Sequence, residues 1–261
     1  MAVVWRGHAG DMRDRPGTAL QAGWLEAATM KAAILGIDTA AGAYLARLLG
    51  ARGYELRGTG ALSLLAELGD TSQIILTSPD AAVTGVDEIY DLRDDVEATA
   101  ALLALGGDAR VVASVATPAA AAAIAGDARR AGRFVATAQL GAHESRLGPG
   151  TSPLARIVAA IAAGEAPARA DLVATDDYGW TAEYVDAMTR LLTLPAGIDD
   201  VVATGCLLSG DDAARIAAAC FRGERQRFGR ATGAPTRSGW RATTLGPELV
   251  AILCEGRAAR R

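Results

Sequence analysis

Lysine is almost absent from this sequence: Lys31 is the only one, although lysine and arginine together number 26. A GC-rich genome produces such a skew together with many alanines, and any lysine chemistry is confined to the start of the first strand-like run. Histidine occurs only at His8 and His143, too few to build a His/Cys zinc site. The three cysteines, Cys206, Cys220 and Cys254, are an odd number, lie far apart and include no C-x-x-C, so reduced thiols in a cytoplasmic protein are expected. No apolar run is long and uncharged enough to span a bilayer, which argues against a membrane. The net charge of −4 gives no basic footprint for nucleic acid. Residues 1–29 lack the apolar core of a secretory signal. Two readings remain open for them: an extension ahead of a folded domain that starts at Met30, or a surface helix over Thr18–Ala28.

What is present is a core. Hydrophobic residues make up 51% of the 261, enough for one large domain or one domain with a small annex. Short apolar runs at Ala32–Gly36, Tyr54–Arg57, Ile74–Thr77, Glu88–Leu92, Arg110–Ser114 and Phe134–Leu140 read as strands. Helical patterns lie between them, at Ala41–Leu49, Glu97–Leu105 and the alanine-rich Pro118–Arg130. The second half continues with helices at Leu154–Ala163, Thr181–Leu194, Asp211–Phe221 and Pro247–Cys254, and strands near Asp171–Ala174 and at Asp200–Thr204. The Gly/Arg-rich stretch Arg222–Thr236 reads as loop. Strands alternating with helices of this size predict an α/β fold with a doubly wound parallel sheet.

The first strand passes into the first helix through Gly36, Thr39 and Gly42, a dinucleotide-type loop whose middle glycine is missing. In such a loop the first glycine permits the tight turn, the middle one admits pyrophosphate and the third allows close helix–strand packing. A β-carbon at Thr39 hinders the phosphate, although the helix N-terminus still offers free N–H groups to an anion. A sharp turn with no ligand satisfies the same pattern.

Lys31–Gly58, with its glycine loop, Tyr44-Leu45 and Gly53-Tyr54-Glu55, resembles the opening of the GDP-mannose 4,6-dehydratases. His143-Glu144-Ser145 is similar to the family's His-Glu-Ser segment. Asp177-Tyr178-Gly179 followed by Glu183–Met188 resembles its Asp-Trp-Gly and Asp-Tyr-Val-Glu-Ala-Met, and Val201–Gly205 resembles its Val-Ile-Ala-Thr-Gly strand. Gly239-Trp240 with Glu248-Leu249-Val250 looks like the closing motifs of extended short-chain dehydrogenase/reductases (the epimerase/dehydratase family). The matches run in order from Met30 to Cys254. They imply a Rossmann domain at residues 30–142 and a reduced C-terminal sugar-nucleotide-type portion at residues 143–261, partly interleaved with the sheet. NADP is the implied cofactor and a nucleotide sugar the implied ligand. The family is considerably longer, so internal segments have been lost.

The family's chemistry needs a tyrosine base, a lysine that lowers its pKa, a neighbouring Ser/Thr and a glutamate. None of Tyr44, Tyr54, Tyr90, Tyr178 and Tyr184 is followed four residues later by lysine or arginine. Where the resemblance places the Tyr/Lys pair stand Ala119 and Ala123, and no glutamate lies between Glu97 and Glu144. Only Ser114 or Thr117 keeps the hydroxyl. On the cofactor side the resemblance points to Gly36, Thr39, Gly42 and His143. The cofactor arginine falls on Gly148 with Arg146 nearby, and the arginine pair for the 2′-phosphate falls on Ala61 and Leu62, leaving Arg57 as substitute. On the sugar-nucleotide side it points to Arg156 and Asp177, but Asp176 replaces an arginine and repels a diphosphate.

Each of these residues also has a structural reading. His143 can end a strand, Arg156 can sit on a solvated helix face, and Tyr178, Tyr184 and Met188 can be core. Cys206 is expected to be buried, and Asp91, Asp94 and Asp95 to form a solvated loop. The expectation is a degenerate relative of the family with no catalytic residues, a nucleotide- or nucleotide-sugar-binding or partner protein with weak or lost NADP affinity. An NADP-dependent nucleotide-sugar dehydratase or epimerase using non-standard residues is the rival. A homodimer or heteromer through helix 118–130 is the implied assembly, because that helix forms the dimer in the family.

Overall fold

Every side chain from Ala32 to Leu35 is fully buried, as a parallel strand covered on both faces must be. This run is β1 (Lys31–Leu35) in a computed structural model that describes residues 29–259 except 70, 148–149, 225–227 and 229–231. The two readings of the segment before Met30, and the position of Gly148, fall outside the described residues. From β1 the chain runs through α1 (Ala40–Ala51), β2 (Glu55–Thr59), α2 (Ser63–Ala66), β3 (Ile74–Leu76), α3 (Pro79–Val83), β4 (Glu88–Asp91), α4 (Val96–Leu105), β5 (Arg110–Ser114), α5 (Pro118–Arg130) and β6 (Val135–Leu140). It continues through β7 (His143–Glu144), α6 (Pro153–Ala163), α7 (Arg169–Leu172), β8 (Thr175–Asp176), β9 (Gly179–Trp180), α8 (Thr181–Leu191), β10 (Asp199–Val202), β11 (Leu208–Ser209), α9 (Gly210–Phe221) and α10 (Gly246–Ala258).

Seven strands form one parallel sheet in the order β10-β6-β5-β4-β1-β2-β3. Successive side chains of a strand face opposite ways. Ala32 and Ile34 therefore join the apolar layer under α1 and α8, while Ala33 and Leu35 join the layer under α3, α4 and α5. The chain is thus the expected α/β, doubly wound Rossmann sheet, and β10 from the C-terminal portion extends it beside β6. A third apolar cluster, around Leu154, Ile157 and Leu253, holds α6, α9 and α10 together.

Helix ends follow local chemistry. Thr117 caps α5 by accepting from the Ala120 amide at 3.1 Å, Pro118 occupies the first turn, and Arg129 and Arg130 lie in the last. One expected element is different: no strand forms at Asp171–Ala174. Arg169–Leu172 is instead a helical turn, because the Asp171 carboxylate turns inward to the Arg156 guanidinium at 2.5–3.2 Å. The extended stretch shifts to β8, which pairs antiparallel with β11. The last helix continues past Cys254 to Ala258, and α8 stops at Leu191 ahead of Pro195. Among the described residues no helix is long and apolar enough to cross a membrane.

Candidate functional site

The strand order reverses at β1, between β4 and β2, so the carboxyl ends of β1 and β4 flank a crevice of the kind where α/β proteins bind ligands. Two glycines shape the turn leaving β1. Gly36 has φ +87°, a conformation that costs glycine little. A β-carbon on Gly42 would stand 2.2 Å from the Gly36 carbonyl oxygen, so only glycine lets α1 approach the strand. Thr39 sits between them as the N-cap of α1. Its hydroxyl accepts from the Gly42 amide at 3.0 Å and donates to the Gly36 carbonyl at 2.8 Å. The helix thus satisfies internally an N–H group of the kind that phosphate-binding turns leave free.

Beside this turn opens a cleft of about 400 Å³, lined among others by Thr39, Ser114, His143, Glu144, Thr151 and Thr181. His143 and Glu144 reach it because β7 pairs in parallel with β9, and the Thr181 hydroxyl donates to the Glu144 carbonyl at 2.8 Å. The His143 Nδ1 lies 2.9 Å from the Gly141 carbonyl. A carbonyl only accepts, so Nδ1 carries a proton. The Glu144 carboxyl is raised above its ordinary pKa by burial, partly offset by hydrogen bonds from the Ser152 side chain and the Ser145 backbone and by the charge of His143. Tyrosine, lysine and arginine are missing from the cleft's lining among the described residues.

The candidate residues separate. Thr39 and His143 meet in the cleft, with Gly36 and Gly42 in the adjoining turn. Arg57 lies on β2 and donates to the carbonyls of Thr84 at 2.7 Å and Ala81 at 3.3 Å, at the end of α3. Arg156 is held by Asp171, whose carboxyl it keeps below the usual range by hydrogen bonding. Asp177 accepts from the amides of Thr204 at 3.0 Å and Gly205 at 2.6 Å, and from the Thr204 hydroxyl. Of the two hydroxyl candidates, Ser114 faces the cleft while Thr117 is used as a cap.

Two expectations for individual residues, those for Asp91 and Cys206, need correction. Asp91 is not part of a solvated loop: it is 1% exposed and takes bidentate hydrogen bonds from Arg93 at 2.9 and 2.7 Å and another from Thr99. Asp94 and Asp95 are exposed as expected: Asp95 caps α4, and Asp94, at φ 53°, accepts from the Ala116 amide. Cys206 is half-buried, since it follows a turn at Gly205 on the rim of the fold. Tyr178, Tyr184 and Met188 are core, as expected, at 4%, 0% and 0% exposure.

Sequence reasoning missed Arg93, Glu144, Ser145, Thr151 and Thr181 as neighbours of the turn and cleft. Arg93 packs its stem where a Gly36 β-carbon would stand, 3.5 Å from Cγ. For Glu144 and Ser145 a signal existed, because they follow His143 directly. Thr181 comes from an element that only the β7–β9 pairing brings near.

A nicotinamide dinucleotide fits this site only in part. The turn has its first and third glycines, but the Gly42 amide is occupied, and among the described residues no lysine or arginine lines the cleft to neutralise a diphosphate. No protein-family profile and no curated protein sequence matches the chain. Solved structures do match in fold. A UDP-glucose 4-epimerase from Thermotoga maritima, solved with UDP-glucose, superposes with TM-score 0.70 at 12% identity, over 88% of this chain and 99% of that one. A UDP-glucose 4-epimerase from Thermus thermophilus, in complex with NAD, gives 0.63 at 14% identity, over 89% and 100%. An NAD-dependent NDP-hexosamine 5,6-dehydratase of tunicamycin biosynthesis gives 0.63 at 19% identity, over 89% and 99%. The chain therefore has the Rossmann-like α/β fold found in these sugar-nucleotide epimerases and dehydratases.

Proposed function

We propose that this chain is a non-catalytic relative of the nucleotide-sugar dehydratases and epimerases, with a cleft that binds a nucleotide or nucleotide sugar without converting it. One observation carries the reading. Ala119 and Ala123, which stand where the resemblance places the Tyr/Lys pair, are exposed methyl groups on α5, and neither tyrosine nor lysine lines the adjoining cleft. An unperturbed phenol titrates near ~10, so a base without a cationic neighbour is of little use at neutral pH. The sequence motifs favour the GDP-mannose 4,6-dehydratase branch. Dinucleotide affinity is weak, because Thr39 occupies the turn, and NADP gains nothing over NAD, because Arg57 is tied to carbonyls. The exposed alanine face of α5 is the contact with a second copy or an active homologue; light scattering should show a dimer that Ala122→Glu dissociates.

A second reading rests on His143 and Glu144. A carboxyl whose pKa is displaced upward by burial in a cleft that an imidazole also lines is a candidate acid–base arrangement. In that reading the chain is an epimerase or lyase with non-standard residues. Thermal-shift screening with GDP-mannose, UDP-glucose, NADP and NAD tests the binding claim. A ligand at a hundred times its Kd adds about 2.7 kcal/mol of stability. The proposal expects a clear shift with a nucleotide sugar and little with either dinucleotide. No shift with any of the four would contradict it.

A further inference from the structure

Two of the three cysteines come together away from the cleft. Cys220 lies in the last turn of α9 and Cys254 in α10; Cys254 belongs to the apolar cluster that joins these helices, and Cys220 packs against it. Both also line one open cavity of about 560 Å³, with Phe228, Glu248 and Glu255 on its wall. Cys220 is half-buried and Cys254 buried, so the cavity reaches the first thiol before the second. Cys206 lies apart, beyond Gly205, and lines no part of this cavity.

We propose that Cys220 and Cys254 are a disulfide-forming pair that is oxidised by a cationic low-molecular-weight disulfide entering this cavity. The cavity selects the charge: Glu224, Glu248 and Glu255 line it and no lysine or arginine does among the described residues, although Arg146 pairs with Glu255 at 2.9 Å and Arg222 with Glu224 at 2.6 Å, so a protonated amine is attracted where an anionic disulfide is repelled. The two thiols also differ in acidity. Burial raises both, but their mutual hydrogen bond lowers Cys220 and raises Cys254, which is pushed up to about 12. Cys220, the more accessible of the two, meets the entering disulfide first and supplies the thiolate. Its sulfur attacks one sulfur of the entering disulfide, the S–S bond breaks, and a low-molecular-weight thiol leaves with the Cys220 proton. The Cys254 sulfur then loses its proton, attacks Cys220 and expels the second thiol. Two protein thiols are oxidised and one disulfide is reduced to two thiols. The new bond ties α9 to α10.

The experiment uses cystamine and the unmodified chain. After incubation and iodoacetamide labelling, mass spectrometry without reduction should find one labelled cysteine, Cys206, and a linked pair of peptides holding Cys220 and Cys254. Dithiothreitol should restore all three labels. In Cys254→Ser the reaction should stop at a cysteamine adduct on Cys220. Three labelled cysteines after cystamine, a lasting Cys220 adduct in the unmodified chain, or a link that includes Cys206 would each overturn the proposal.

Discussion

Replacing Thr39 separates two jobs that one hydroxyl performs. Its Oγ1 caps α1 by accepting from the Gly42 amide and fastens the turn by donating to the Gly36 carbonyl. Loss of a Thr N-cap to alanine costs roughly 0.5–2 kcal/mol, whereas replacement by glycine costs only a few tenths. For a domain of this size about 1 kcal/mol lowers Tm by roughly 2–4 °C. Thr39→Ala should therefore melt a few degrees early, and Thr39→Gly nearly where the unmodified protein does. Thr39→Gly also frees the Gly42 amide and removes the β-carbon beside it. A hydrogen bond to a charged group is worth about 1.5–3 kcal/mol, and each 1.4 kcal/mol is tenfold in affinity. Titration calorimetry should accordingly find NAD or NADP binding at least about tenfold tighter in Thr39→Gly. Equal Tm values for all three proteins would refute the capping role. Unchanged dinucleotide affinity in Thr39→Gly would refute the claim that Thr39 blocks the turn.

Other outcomes follow from the same geometry. Gly42→Ala places a methyl 2.2 Å from the Gly36 oxygen and 2.6 Å from the Ile37 Cα, so urea unfolding should show a loss of about 3 kcal/mol or more. Because burial raises the Glu144 pKa, the folded protein holds that proton more firmly than the unfolded chain. The resulting stability is present below the ordinary carboxylate range and is lost as pH rises through the folded value. Glu144→Gln should then raise Tm near neutral pH and leave it unchanged in acid; a Tm lowered at neutral pH would contradict the sign. A chain beginning at Met30 should melt at the same temperature as the full chain, and a large drop by calorimetry would show that the preceding residues are packed.

The parts of this fold that could be read ahead were those decided within a few residues. The buried run Ala32–Leu35 and the Thr117-Pro118 start of α5 carry their reasons locally, and both elements lie where the pattern puts them. Asp171 was misread as part of a strand because its partner, Arg156, sits fifteen residues back on another helix. Asp91 was misread as solvated because Thr99, on the following helix, and the returning Arg93 side chain cover it. The missing middle glycine at Thr39 was legible as an obstacle. Its stronger effect, occupation of the Gly42 amide, was equally available from N-cap chemistry and was overlooked. The cleft could not be assembled from spacing, since Thr39, Ser114, His143 and Thr181 arrive from four separate elements.

The central claim is that the cleft does no hexose chemistry, and turnover tests it directly. Loss of each general acid–base role costs on the order of 100- to 10,000-fold, although such losses do not simply add. Purified protein incubated with GDP-mannose and NADP, and in parallel with UDP-glucose and NAD, should yield no 4-keto-6-deoxy sugar by mass spectrometry and no C4 epimer by NMR. Ala119→Tyr with Ala123→Lys should not rescue activity, because on the proposed reading the resemblance also finds no glutamate where the elimination base would stand. Clear product from the unmodified protein, abolished by His143→Ala or Glu144→Gln, would contradict the account and make those two residues the acid–base pair.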